Sequence, residues 1–203
     1  MEEILKEETK KAEEILKAAT LVFSKDDFHK VTMEEIAKGA NVGKGTLYRY
    51  YKNKEDLYFS IILKGLDSLH RYIIVMLAKE KDVISKIKRF VYCVLRFFEK
   101  NKSFVIVFLQ EEVRFREKGI SNCTEILDKI ANILEELILE GQKQGIINNK
   151  ISASLSSIFL IGMTKAAFLE SIKSEVKIDL LNLSDLICEV FCNGIIKRKG
   201  GKK

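Results

Sequence analysis

The sequence predicts an all-α chain of about nine helices, with a short three-helix head that contains a helix-turn-helix and a larger helical remainder. Three observations carry this. Among 203 residues there are eleven Gly and no Pro, and the abundance of Ile, Leu, Lys and Glu favours helices over strands. Apolar residues recur at three- and four-residue spacing through most of the chain, the period of a helix with one buried face. Finally, TMEEIAKGANVGKGTLYRYY, from Thr32 to Tyr51, places its apolar and small residues where two short helices crossing at a tight turn need them.

The first helix is expected from about Thr9 to Ser24, with Ile15, Leu16, Ala19, Val22 and Phe23 as its inward stripe. Thr32 followed by Glu35 is a capping-box start for the second, which presents Ile36, Ala37 and Ala40 on one side. Gly39 to Val42 breaks the periodicity. Asn41 is the non-glycine residue type that best accepts the left-handed backbone of a sharp turn. Val42 and Leu47 then form the apolar side of the third helix. At ~100° per residue from Leu47, Gly43, Lys44, Tyr50 and Tyr51 fall within about 60° of the inward direction. Gly45, Arg49 and Lys52 point outward, with Thr46 and Tyr48 on the flanks. That face suits a DNA groove: no side chain at Gly45, a guanidinium for a guanine edge, and hydroxyls on both sides. A charged outer face alone is more often a solvated one. Helix spacing, turn residue and basic face together favour a DNA-reading surface.

Asn53 caps a fourth helix, with Asp56 at the capping-box position and Leu57, Ile61, Leu66, Leu69, Ile73 and Met76 as its stripe to about Lys79. At ~1.5 Å per residue it is roughly 40 Å long, enough to join two domains rigidly. Five more helices are expected at 82–100, 103–116, 121–141, 151–173 and 179–198. FVIVFL at 104–109 has the residue types of a strand, but its helical neighbours and the charged QEEVRFRE continuation make it a buried helix. Gly141 and Gly145 close the helix carrying Ile126, Ile130, Ile133, Leu134, Leu137 and Ile138. The last two helices hold more apolar surface than one core stripe uses: Leu155, Ile158, Phe159, Gly162, Ala166 and Leu169 on one, Leu183, Leu186, Ile187, Val190, Phe191 and Ile195 on the other.

The formal net charge is +6, and its placement matters more than its size. Lys30, Lys38, Lys44, Arg49, Lys52 and Lys54 face only Glu34 and Glu35 within residues 30–54. The basic tail from Lys197 to Lys203 reads as a solvated end. The four cysteines, Cys93, Cys123, Cys188 and Cys192, contain no CxxC pair. Cys188 and Cys192 lie one turn apart without a nearby His, so they read as buried small hydrophobes, and no metal site is expected. The two histidines, His29 and His70, enter no catalytic or metal spacing, and no Gly-rich phosphate loop follows a strand. No catalytic residues and no cofactor are expected. With no leader and no apolar run of eighteen residues, the expectation is a cytoplasmic protein with no membrane partner.

Residues Ile15 to Leu57 resemble the DNA-binding domain of the tetracycline-repressor (TetR) family of transcriptional regulators. The likeness rests on Ala18, Ala19 and Phe23, on Thr32, Ile36 and Ala37, on Val42, Gly45, Thr46, Leu47 and Tyr48, and on Lys54, Glu55 and Leu57. Asp27-Phe28, Ala40-Asn41 and Tyr50-Tyr51 stand where the family has Gly-Tyr, Ala-Gly and Tyr-Phe. The resemblance implies a DNA-binding domain at 1–52 and an effector-binding and dimerisation domain at 53–203. It implies a homodimeric repressor that binds a pseudo-palindromic site on double-stranded DNA and is released by a small-molecule effector, apolar or aromatic in chemistry. Expected DNA contacts are Thr32, Lys44, Gly45, Thr46, Tyr48, Arg49 and Lys54, with Lys54 and Tyr48 on phosphates. Expected pocket walls are Tyr72, Tyr92, Cys93, Phe97, Phe108, Phe115 and Met163, with Arg96 or Arg114 as polar anchors. The expected dimer interface is Leu155, Phe159, Gly162, Ala166, Leu183, Leu186, Ile187, Val190 and Phe191. A helical-bundle carrier or enzyme whose helix-turn-helix is only a packing motif is the rival reading.

Overall fold

The computed structural model describes residues 2–118, 121–173 and 179–195, with side chains placed for 7–110, 122–171 and 179–194. The described residues form nine α-helices: α1 Glu2–Phe23, α2 Met33–Gly39, α3 Lys44–Tyr50, α4 Lys54–Leu77, α5 Val83–Lys100, α6 Lys102–Lys118, α7 Ser121–Lys143, α8 Ala153–Lys173 and α9 Leu180–Ile195. FVIVFL is helical, with Phe104, Val105, Val107 and Phe108 buried. The first helix starts seven residues before Thr9. That threonine follows a run of good helix formers, so nothing non-helical precedes it to make it a cap. The basic tail and Phe115, Arg114 and Ile195 lie outside the residues whose side chains are described.

The chain divides into two compact units, residues 1–67 with 101–124, and residues 68–100 with 125–203. The division falls inside α4 and not at residue 53, because the start of α4 is tied to α1 and α6. Ile15, Ala19 and Phe23 of α1 are buried together with Leu57, Tyr58, Ile61 and Ile62 of α4. Tyr58 meets Phe23 edge-on at 4.9 Å and Phe28 at 5.1 Å, while its hydroxyl donates to the Val107 carbonyl at 2.7 Å. Gly65 lets α4 approach α6 closely, since a Cβ there would stand 2.0 Å from the Phe104 ring.

In the second unit α5 is amphipathic, with Val83, Ile87, Phe90, Val91, Val94 and Leu95 buried, and it packs against α8 and α9. Phe98 meets Phe168 of α8 at 5.0 Å. Its start is capped by Asp82, whose carboxylate accepts from the Ser85 amide at 2.9 Å and hydroxyl at 2.6 Å; those bonds hold the carboxyl below its usual range. α7 ends in a Schellman turn. Gly145 takes φ +71°, and the Ile146 and Gly145 amides donate to the Gly141 and Gln142 carbonyls, each at 3.0 Å. Gly145 terminates the helix as expected, whereas Gly141 lies within it: a Cβ there would press to 2.6 Å from Ile147.

By length and composition α8 could cross a membrane, over Ala153–Ser171. It is nonetheless a core helix: it packs on α5 and α9 and buries Ser156, Ser157 and Thr164, whose hydroxyls donate to carbonyls of their own helix. Cys93, Cys123, Cys188 and Cys192 are buried free thiols. Burial, and then Cys192, pushes Cys188 up to about 12, which keeps it protonated and unreactive at neutral pH.

Candidate nucleic-acid interface

The reader is built on α2, its turn and α3. Thr32 and Glu35 form the reciprocal capping box: the Thr32 hydroxyl accepts from the Glu35 amide at 3.2 Å, and the Thr32 amide donates to the Glu35 carboxylate at 2.8 Å. Both polar groups of Thr32 are thus engaged inside the head. Ile36 and Ala37 are buried, and Gly39 lies over Ala18 and Val22 of α1. At the turn Asn41 takes φ +51°. The Val42 amide donates to Ala37 at 3.0 Å and the Asn41 amide to Lys38 at 3.1 Å, the same Schellman pairing that Gly145 makes after α7.

α3 has seven residues and a single fully buried anchor, Leu47. Gly45, Tyr48 and Arg49 are exposed and Thr46 is half-buried. A Cβ added at Gly45 would meet nothing within 4 Å, so the helix surface there is open. Arg49 lies over the Tyr50 ring at 5.2 Å, with Nη2 3.5 Å from its hydroxyl. The wheel centred on Leu47 fails for Gly43 and Lys44, which are exposed. Gly43 is the N-cap with extended backbone, so the helical angle does not apply to it, and Lys44 turns toward α2 to form an ion pair with Glu34. Tyr51 is buried as expected and its hydroxyl donates to the Ala12 carbonyl at 3.4 Å. Burial pushes this phenol up to about 12.

Lys54 is placed differently from its expected role. Its ammonium donates to the carbonyls of Phe28 at 2.6 Å and Val31 at 2.9 Å, lies 3.4 Å from that of His29, and sits 4.5 Å from the centroid of the Phe28 ring. These partners fill its three donors. Lys54 therefore clamps the segment before α2 to the start of α4. Beside it, Asn53 accepts from the Asp56 amide at 2.7 Å, and the Asp56 carboxylate reaches the Lys52 amide at 3.0 Å, one residue short of a reciprocal box.

The candidate pocket residues do not converge. Tyr72 and Cys93 share a hydrogen bond, and burial pushes the Cys93 thiol up to about 11. Tyr92 lies against Arg89, 5.6 Å from its guanidinium, in a groove with Glu80, Ser85, Lys88, Leu181, Ser184 and Asp185. Phe108 stacks on Phe104 in the first unit, and Phe97 is half-buried on α5. Met163 lines a shallow apolar groove between α8 and α9 with Phe159, Gly162, Val190 and Phe191. Arg96 is taken up by Glu99.

The candidate interface residues separate into two faces. Leu155, Phe159, Gly162, Ala166, Leu186 and Val190 are exposed, and Leu183 is half-buried. Ile187 and Phe191 are instead buried in the chain's own core, because a step from 186 to 187 or 190 to 191 turns ~100° around the helix. Sequence reading also missed Glu34, whose pairing with Lys44 crosses the turn and leaves no periodic signal.

A short buried-anchor helix held out by a capped partner helix, with an open basic face, defines a helix-turn-helix DNA-binding regulator and not an enzyme. The chain belongs to the tetR family of bacterial regulatory proteins: the family model "Bacterial regulatory proteins, tetR family" matches residues 15–61, and "YsiA-like protein, C-terminal region" matches residues 65–194. Over 198 residues, 94% of this chain and 98% of the relative, it is 26% identical to the fatty acid metabolism regulator protein of Bacillus subtilis (strain 168). The same fold occurs in the fatty acid degradation regulator FadR from Bacillus halodurans, with TM-score 0.80 and 24% identity, covering 91% of this chain and 95% of that one. FadR from Bacillus subtilis in complex with stearoyl-CoA superposes with TM-score 0.78 at 24% identity, over 90% of this chain and 98% of that one.

Proposed function

We propose that this regulator is a cytoplasmic repressor that binds a pseudo-palindromic operator as a homodimer and is released by a long-chain acyl thioester. The observation that carries the effector class is the 26% identity along nearly the whole chain to a fatty acid metabolism regulator, together with the stearoyl-CoA bound by a protein of the same fold. Within the reader, Arg49 reads a base and Gly45, Thr46 and Tyr48 approach the groove and its phosphates. Lys44 assists, while Thr32 and Lys54 hold α2 in place. The head at 1–52 works as the DNA-binding domain and 53–203 as the effector and dimer domain, with α4 running from one into the other.

The test begins by selecting the operator from a random DNA pool with purified protein. Stearoyl-CoA, free CoA and stearate are then titrated with and without that operator. Stearoyl-CoA is expected to lower operator affinity about 5–150-fold, and the operator must weaken stearoyl-CoA by the same factor. Equal acyl-CoA affinities in the two titrations would show binding without signalling. A carrier or enzyme whose helix-turn-helix only packs would select no sequence and show no salt-sensitive complex.

Lys54→Met separates the clamp from a phosphate contact. Losing charged hydrogen bonds to backbone carbonyls should cost about 1.5–3 kcal/mol of stability in denaturant unfolding. The dependence of DNA affinity on salt should keep its slope, whereas loss of a phosphate contact would flatten it by about one unit. Unchanged stability with a flattened slope would return Lys54 to the phosphates.

A further inference from the structure

Glu34 is an acid on the surface that should meet a polyanion. It lies in the first turn of α2, and Lys44 opens α3. The turn at Asn41 brings the two together, ten positions apart, as an ion pair with both side chains more than half exposed. The Lys44 hydrogen bond holds the Glu34 carboxyl below its usual range, and Glu34 in turn raises Lys44. An exposed pair of this kind adds little to fold stability. It does set a competition, because one ammonium cannot fully serve both a carboxylate and a DNA phosphate.

Building on the DNA-binding role of the chain, we propose that Glu34 is a specificity-determining residue: it keeps Lys44 from the phosphates of non-operator DNA and yields it only on the operator. Non-operator binding is almost wholly electrostatic, so a lysine withheld there lowers affinity directly. On the operator, the base contacts of Arg49 hold α3 in the groove long enough for Lys44 to exchange its carboxylate for a phosphate. Glu34 takes no part in the capping box, which uses Thr32 and Glu35, so its replacement leaves the head folded. Glu34 thus acts on background binding while leaving the reading residues untouched.

The experiment compares the parent, Glu34→Gln, Lys44→Met and the double variant on the selected operator and on a scrambled duplex, across a salt series. Glu34→Gln is expected to bind the scrambled duplex about five-fold more tightly at ~0.15 M salt, with a salt slope steeper by ~0.9, the value of one phosphate contact. Its operator affinity should change by less than about two-fold, so the specificity ratio falls. In the Lys44→Met background the gain should vanish. Equal gains on both duplexes, no gain on the scrambled one, or a gain that survives without Lys44 would each overturn the role given to Glu34. A parent chain that binds neither duplex would instead overturn the DNA-binding reading itself.

Discussion

Phe159→Glu and Leu186→Glu are each expected to yield a monomer in sedimentation equilibrium and to lower operator affinity by ~10²–10⁴-fold, the range in which a second linked contact contributes avidity. The reason lies in five large apolar side chains left facing outward on α8 and α9: Leu155 at 54%, Ile158 at 55%, Phe159 at 62%, Leu186 at 58% and Val190 at 57% exposure. A contiguous patch of this kind on one chain marks an interaction surface. A two-fold contact between copies would bury it against itself, and a carboxylate introduced at its centre would be stranded without a partner. Because Phe159 and Leu186 are exposed in the single chain, their replacements should leave thermal unfolding of the monomer nearly unchanged. Ile187→Glu supplies the contrast. That side chain is buried within its own subunit, so its variant should fail to fold. A Phe159→Glu chain that remains a stable dimer with full operator affinity would sink the two-fold interface.

Legibility in the sequence followed the range of the interactions. Caps and turns were readable because their physics is local: Thr32 with Glu35, Asn41 at positive φ and Asn53 ahead of α4 all behave as their residue types require. Helix stripes were readable where the helix is long, so Ile15, Phe23, Leu57, Ile61 and Ile73 are all buried. α3 has only seven residues, and there a wheel is as uncertain as the helix ends, which is how Lys44 came to be assigned inward. Lys54 shows a different limit. Its charge and its position opening a helix suggest phosphate binding, but the carbonyls of Phe28 and Val31 that engage it lie more than twenty residues earlier. The pocket residues were chosen as aromatic or sulfur-containing side chains at helical spacing. Spacing identifies a face without naming what covers it, and Met163 and Phe108 prove to face different neighbours.

Arg49→Ala should lose ~1–3 kcal/mol per half-site on the operator, the value of a bidentate contact to a base edge, and about twice that for a dimer reading two half-sites. Arg49 is exposed on the outer face of α3, one turn from the open surface at Gly45. Its guanidinium lies over the Tyr50 ring at 5.2 Å, with only a long contact of 3.5 Å to the hydroxyl. The ring can orient the guanidinium while leaving its donors available, because stacking uses the face of the group and base recognition uses its edge. Arg49→Lys keeps the charge and removes the fork. It should therefore retain binding to scrambled DNA and lose discrimination at the bases Arg49 reads, whereas Arg49→Ala should also lose a modest, salt-dependent share of background binding. Tyr50→Phe keeps the stacking ring and should stay close to the parent on both duplexes. If Arg49→Ala binds the selected operator as tightly as the parent across the salt series, the base-reading role fails and the outer face of α3 contacts only phosphates.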